Sequence, residues 1–213
     1  MTFAGLDPSF TGFGISLIHS DTKVIDFMDI DTEFDKHNAR LKFDAIKSIS
    51  RDAVRKVSVF SSEQIYLGQE VSTAYTGWMV AELFGLAYAT YQAVLNKLNP
   101  LVYNLYSQTY INYVHGKRKR TKEETIFMIE DVILPIFTKH GYTINKYKTA
   151  MTSTGEKEEG KNRYIRRETI TNNEADAMMY ALRMFIKYSK EEEIIKEILD
   201  WYPKFQDDNH ELA

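Results

Sequence analysis

The chain opens on two short apolar runs, residues 2–7 (TFAGLD) and 12–18 (GFGISLI), parted by a turn that holds Pro8 and Ser9. Proline fixes its own φ and donates no backbone hydrogen bond, so the first strand has to stop at Asp7. Residues 23–29 (KVIDFMD) alternate apolar and polar positions and read as a third strand. Strands this close in sequence pair as an antiparallel meander. The chain is thereby committed to a sheet whose first strand ends on a carboxylate.

The remaining elements build on that sheet. Phe43, Ile46, Ile49, Ala53 and Val57 fall at helical spacing, which marks an amphipathic helix over 37–60. Residues 64–69 (QIYLGQ) read as a strand that runs into Glu70. Residues 77–97 form a long helix, apolar nearly all round, that Asn99-Pro100 terminates. A fifth strand at 101–106 leads to Ser107, a cap for a short helix through Val114. Thr121 and Glu124 make a capping box for a helix over 122–138. Residues 140–171 lack periodicity and read as a loop or hairpin insertion. Helices follow at 173–189 and 191–201, and the tail from Pro203 is expected to fray. The expected architecture is α/β, a mixed five-stranded sheet flanked by helices. Residues 1–190 read as one domain and 191–213 as an acidic helix and tail.

At 213 residues, 44% hydrophobic and 27% charged, the chain has the make-up of one soluble globular domain. It contains no cysteine, which excludes disulfides and thiolate metal sites and suits an intracellular, cytoplasmic setting. No apolar run is long enough to span a membrane, and no secretory signal is visible. The net charge of −3 conceals an uneven distribution. Residues 115–170 carry 13 Lys/Arg against 8 Asp/Glu, whereas residues 191–213 carry 2 Lys against 8 Asp/Glu. A basic segment is therefore available to phosphate.

Three acids stand at telling places. Asp7 ends the first strand, Glu70 the fourth, and Asp176 lies on the first turns of a late helix between small apolar residues. If those strand ends are neighbours, the carboxylates converge. Clustered carboxylates stay ionised only beside a compensating cation. An all-oxygen donor set suits Mg²⁺ or Mn²⁺. Two such ions roughly 3.5–4 Å apart activate water and stabilise the leaving oxygen in phosphodiester hydrolysis.

Those same residues resemble the RuvC-type Holliday-junction resolvases, which have an RNase H-like fold. FAGLDPSFTGFGISLI resembles the family's opening, IYLGQE its second motif, VYNLYSQTYINYVHGKRKRTKEETI its strand, helix and basic segment, and NNEADAMMYALRMF its final helix. The motifs keep the family's order. The resemblance implies a metal-dependent, structure-selective DNA endonuclease with Asp7, Glu70 and Asp176 as metal ligands. It puts a fourth ligand at Asn173, which offers a carbonyl oxygen but no charge; the neighbouring Glu174 is a substitute. The long 140–171 segment and the acidic C-terminal helix depart from the family and mark a divergent member, with a phage origin as one expectation.

The resemblance also implies a partner, branched DNA. Lys117, Arg118, Lys119, Arg120 and Lys122 form a cationic run where the family places DNA-contacting lysines, with Lys122 nearest the scissile phosphate. Lys161, Arg163, Arg166 and Arg167 form a second basic group. Tyr75, in the polar stretch STAYTG, is placed to stack on junction bases. The 77–97 helix is read as a homodimer interface, as in the family. The five histidines show no metal spacing. Three other readings stay open: an actin-like or sugar-kinase ATPase, for which no second phosphate loop is seen; an RNA-processing nuclease of the YqgF type; and a DNA-binding relative without chemistry.

Overall fold

A computed structural model of the chain describes residues 1–9, 12–30, 39–61, 64–71, 78–107, 109–116, 120–149, 164–166, 168–207 and 211–212. The N-terminal meander forms as the sequence dictates: β1 (Thr2–Asp7), β2 (Phe13–His19) and β3 (Val24–Ile30) pair antiparallel. β4 (Ile65–Val71) adds parallel to the other side of β1, and β5 (Val102–Ser107) adds parallel to β4. These five strands are the expected mixed sheet. Three more extend it, giving the order β7-β6-β3-β2-β1-β4-β5-β8. β6 (Thr143–Thr149) runs parallel to β3 and pairs antiparallel with β7 (Tyr164–Arg166). β8 (Glu211–Leu212) covers the far edge at β5.

Helices cover both faces. α1 (Ala39–Phe60) and α2 (Trp78–Lys97) pack together on one face, over a core that includes Ala4, Leu6, Ile15, Leu17, Leu67 and Leu86. On the other face α6 (Asn172–Tyr188) crosses β1, β2 and β4, over a core that includes Phe3, Phe27, Tyr106, Met178 and Phe185. The alternation of each strand assigns its residues to one core or the other.

Small residues let α6 lie against the sheet itself. A Cβ on Gly5 would stand 1.8 Å from the Ala177 carbonyl oxygen, and one on Gly14 2.0 Å from that of Asn173. No side chain fits at either point. The Ser16 hydroxyl donates to the Glu174 carbonyl at 2.8 Å and fixes the start of the helix to β2.

The expected helix over 122–138 is interrupted. α4 (Lys122–Phe127), capped by the Thr121–Glu124 box, passes into a wider π-helical stretch at Met128–Ile133 before α5 (Leu134–Lys139). Pro135 supplies the reason, since it has no N–H to return to the turn before it. The short helix before it, α3 (Thr109–Val114), is as expected, with the Ser107 hydroxyl 2.7 Å from that of Thr109.

The tail does not fray at Pro203. α7 (Glu192–Trp201) leads into a 3₁₀ turn at Pro203–Gln206, where Phe205 is fully buried and its carbonyl accepts from the Arg183 guanidinium. The acidic composition hid one apolar anchor and one buried cation that hold the turn down. Among the described residues, no helix is long and apolar enough to cross a membrane.

Candidate functional site

Strand register brings the acids into one row. Asp29 pairs with Gly14, Gly14 with Asp7, and Leu6 with Gln69, so that Glu70 follows beside Asp7. Glu70 pairs in turn with Tyr106. Residues directly opposite one another share a face, and this row faces α6. The helix then brings Asp176 down onto it from its second turn.

Each carboxyl feels its neighbours. Asp7 is held well above the usual carboxylate range, first by burial and then by the charges of Glu70 and Asp176. Burial also pushes Glu70 up to about 7, against a 2.7 Å hydrogen bond that the Tyr180 hydroxyl donates to its Oε2. Asp176 is raised by burial as well, and Arg120 opposes the rise. Burial drives the Tyr180 phenol above its usual range, and the Glu70 charge adds to this, so it stays a donor. Tyr180 is itself packed in a cluster with Tyr106 and Tyr110. Burial first and mutual repulsion second thus disfavour the ionised acids, and a cation among oxygen ligands would relieve both. As the side chains stand, however, no three acids among the described residues enclose a common cation position. The Arg120 guanidinium takes Asp176 Oδ1 at 2.7 Å, and the Tyr180 hydroxyl takes Glu70.

The other expected site residues divide. Asn173 lies at the mouth of this row: a Cβ on Gly12 would stand 2.6 Å from its Nδ2 and 3.0 Å from Asp29 Oδ1. Glu174 is corrected. It is fully buried, and its carboxylate accepts the Thr171 backbone N–H at 2.7 Å, closing the capping box that starts α6. That T-x-x-E spacing was in the sequence, and the helix begins one residue earlier than expected because of it. Arg120, expected as a DNA contact, stands inside the acid cluster in the DNA-free structure, with its guanidinium on Asp176. Lys122 is exposed at the first turn of α4, and its charge is felt at Asp176. Lys117, Arg118, Lys119, Tyr75, Lys161, Arg163 and Arg167 lie outside the described residues, as does the side chain of Arg166.

Asp29 was missed. Its charge raises Asp7, and it closes the far end of the row. The signal was available: alternation along β3 puts Asp29 on the face of buried Ile25 and Phe27.

A mixed sheet opening with an antiparallel meander, with acids on its two central parallel strands and a late helix laid across them, defines the RNase H-like α/β class. Within that class the fold is similar to that of solved RuvC structures. A solved structure described as T. thermophilus RuvC in complex with Holliday junction substrate superposes with a TM-score of 0.51, at 17% identity, over 85% of this chain and 91% of that one. A second, described as Thermus thermophilus RuvC, gives 0.51 at 16% identity over 88% and 96%. At the level of sequence, no protein-family model and no curated protein matches the chain.

Proposed function

We propose that the protein is a divalent-metal-dependent endonuclease that cuts Holliday junctions or other branched DNA. The observation that carries this reading is the convergence of Asp7, Glu70 and Asp176, from two adjacent strands and the helix laid across them, on a RuvC-like fold. Asp7, Glu70 and Asp176 would hold Mg²⁺ or Mn²⁺, with the Asn173 amide oxygen as a neutral fourth donor. When bound, such ions supply a water nucleophile and stabilise the leaving oxygen. The chain's own residues shape that chemistry. The Tyr180 hydroxyl orients Glu70, and Gly5 and Gly14 set the height of α6 and hence of Asp176. Lys122 and the adjacent basic run meet the phosphates, and Tyr75 stacks on junction bases. The solved RuvC complex with a Holliday junction supports the choice of substrate.

A homodimer completes the reading, because cutting two symmetry-related strands needs two sites at a fixed separation. α2 presents Phe84, Tyr88 and Leu95 to solvent at 52%, 57% and 42% exposure, a stripe at helical spacing. The test of function is Mg²⁺-dependent cleavage across a panel of branched DNAs. Asp7→Asn, Glu70→Gln and Asp176→Asn should each abolish cutting and leave junction binding largely intact, since phosphate contacts supply most affinity. Near-normal cutting by any two of these variants refutes the site.

A further inference from the structure

Arg120 is the cation that the acid cluster already holds. Its guanidinium donates to Asp176 Oδ1 at 2.7 Å, and the two side chains are only 13% and 15% exposed. Its charge opposes the upward shift of all three acids, Asp7, Glu70 and Asp176. The backbone beneath it is anchored. The Arg120 N–H donates to Asn112 Oδ1 at 3.1 Å, and Thr121 caps α4 in the next position. The guanidinium is thus a long, rotatable arm on a fixed base.

That arm and a divalent ion cannot share Asp176 on equal terms. Both are positive, both draw on the same carboxylate, and in a nearly buried site their repulsion is weakly screened. We propose that Arg120 is an internal counter-ion, exchanged for the divalent metal when the site loads and then delivered to a DNA phosphate. This rests on reading the acid cluster as a metal site. Before loading, Arg120 supplies part of the positive charge beside the acids, and the metal supplies it afterwards. It also accounts for acids that face one row yet do not enclose a cation position as they stand. The same exchange couples the two ligands. Metal arrival frees a planar donor fork suited to phosphate, so metal and DNA bind more tightly together than apart.

The experiment measures Mn²⁺ binding to the full chain by titration calorimetry, without DNA, for the wild type, Arg120→Gln and Asp7→Asn. Thermal melting first establishes that each variant is folded. Arg120→Gln, which keeps most of the side-chain volume without the charge, should bind Mn²⁺ about tenfold more tightly than the wild type, the scale of one charge-assisted hydrogen bond. Asp7→Asn should lose Mn²⁺ binding. In a second arm, Ca²⁺ replaces the catalytic ion and junction affinity is read across salt concentrations. Ca²⁺ should strengthen wild-type binding, and Arg120→Gln should lose that gain and lower the salt slope by about one. Unchanged or weaker Mn²⁺ binding by Arg120→Gln overturns the exchange, and if Asp7→Asn still loses the metal, the metal-site reading survives. Weaker junction binding with unchanged Mn²⁺ affinity makes Arg120 a phosphate contact only, which also overturns it. No Mn²⁺ binding by the wild type overturns both.

Discussion

Gly14→Ala tests the packing that builds the site. The added Cβ would stand 2.0 Å from the Asn173 carbonyl oxygen, 2.3 Å from its carbon and 2.9 Å from the Glu174 nitrogen. These are backbone atoms of a capped helix, so no side chain can turn aside to make room. Ordinary contact begins near 3.4 Å, so the start of α6 has to lift by roughly 1.4 Å. Overpacking of this kind costs about 3 kcal/mol. For a domain of this size that corresponds to a fall in Tm of about 6–12 °C. The lift also takes Asp176 away from Asp7 and Glu70; if these acids form the proposed metal site, a displacement of about 1 Å costs on the order of 100-fold in rate. Differential scanning calorimetry and a single-turnover cleavage assay on a four-way junction measure the two effects. A variant within about 0.5 kcal/mol of the wild type, or one that cuts at the wild-type rate, refutes the account of why β2 carries glycine there.

Glu70, raised to about 7 by burial, keeps in the metal-free native state a proton that the unfolded chain loses near its ordinary value of about 4.5. Metal-free stability should therefore fall as pH rises across that window, and Mn²⁺ should restore it above pH ~7; melting curves in chelator and in Mn²⁺ check this, and Glu70→Gln should flatten the metal-free profile. Phe205→Ala should cost about 3–5 kcal/mol in chemical denaturation, since the ring is fully buried; a loss near zero would mean the tail is frayed after all. Tyr88→Glu, at the centre of the exposed α2 stripe, should convert a dimer into a 24.8 kDa monomer in sedimentation, and a wild-type monomer at micromolar concentration rules the dimer out.

Local signals carried the sheet's beginning and the ends of its strands. Pro8 stops β1 at Asp7, alternation marks β3, and the Thr121 box starts α4, because each depends on residues a few positions apart. The apolar faces of the helices were legible for the same reason. What local signals cannot report is which distant groups meet. Asp29 is polar in an alternating strand until register lines it up with Gly14 and Asp7. Glu174 reads as an acid beside a site until the cap turns it back onto Thr171, within the helix start. Phe205 is one aromatic in an acidic tail until Arg183 reaches its carbonyl. Arg120 belongs by sequence to a basic run, and only the packing of α4 beside α6 brings its guanidinium to Asp176. Hydrophobic period and turn chemistry are written along the chain, whereas the pairing of charges depends on distances across it, which exist only once the sheet has closed under α6.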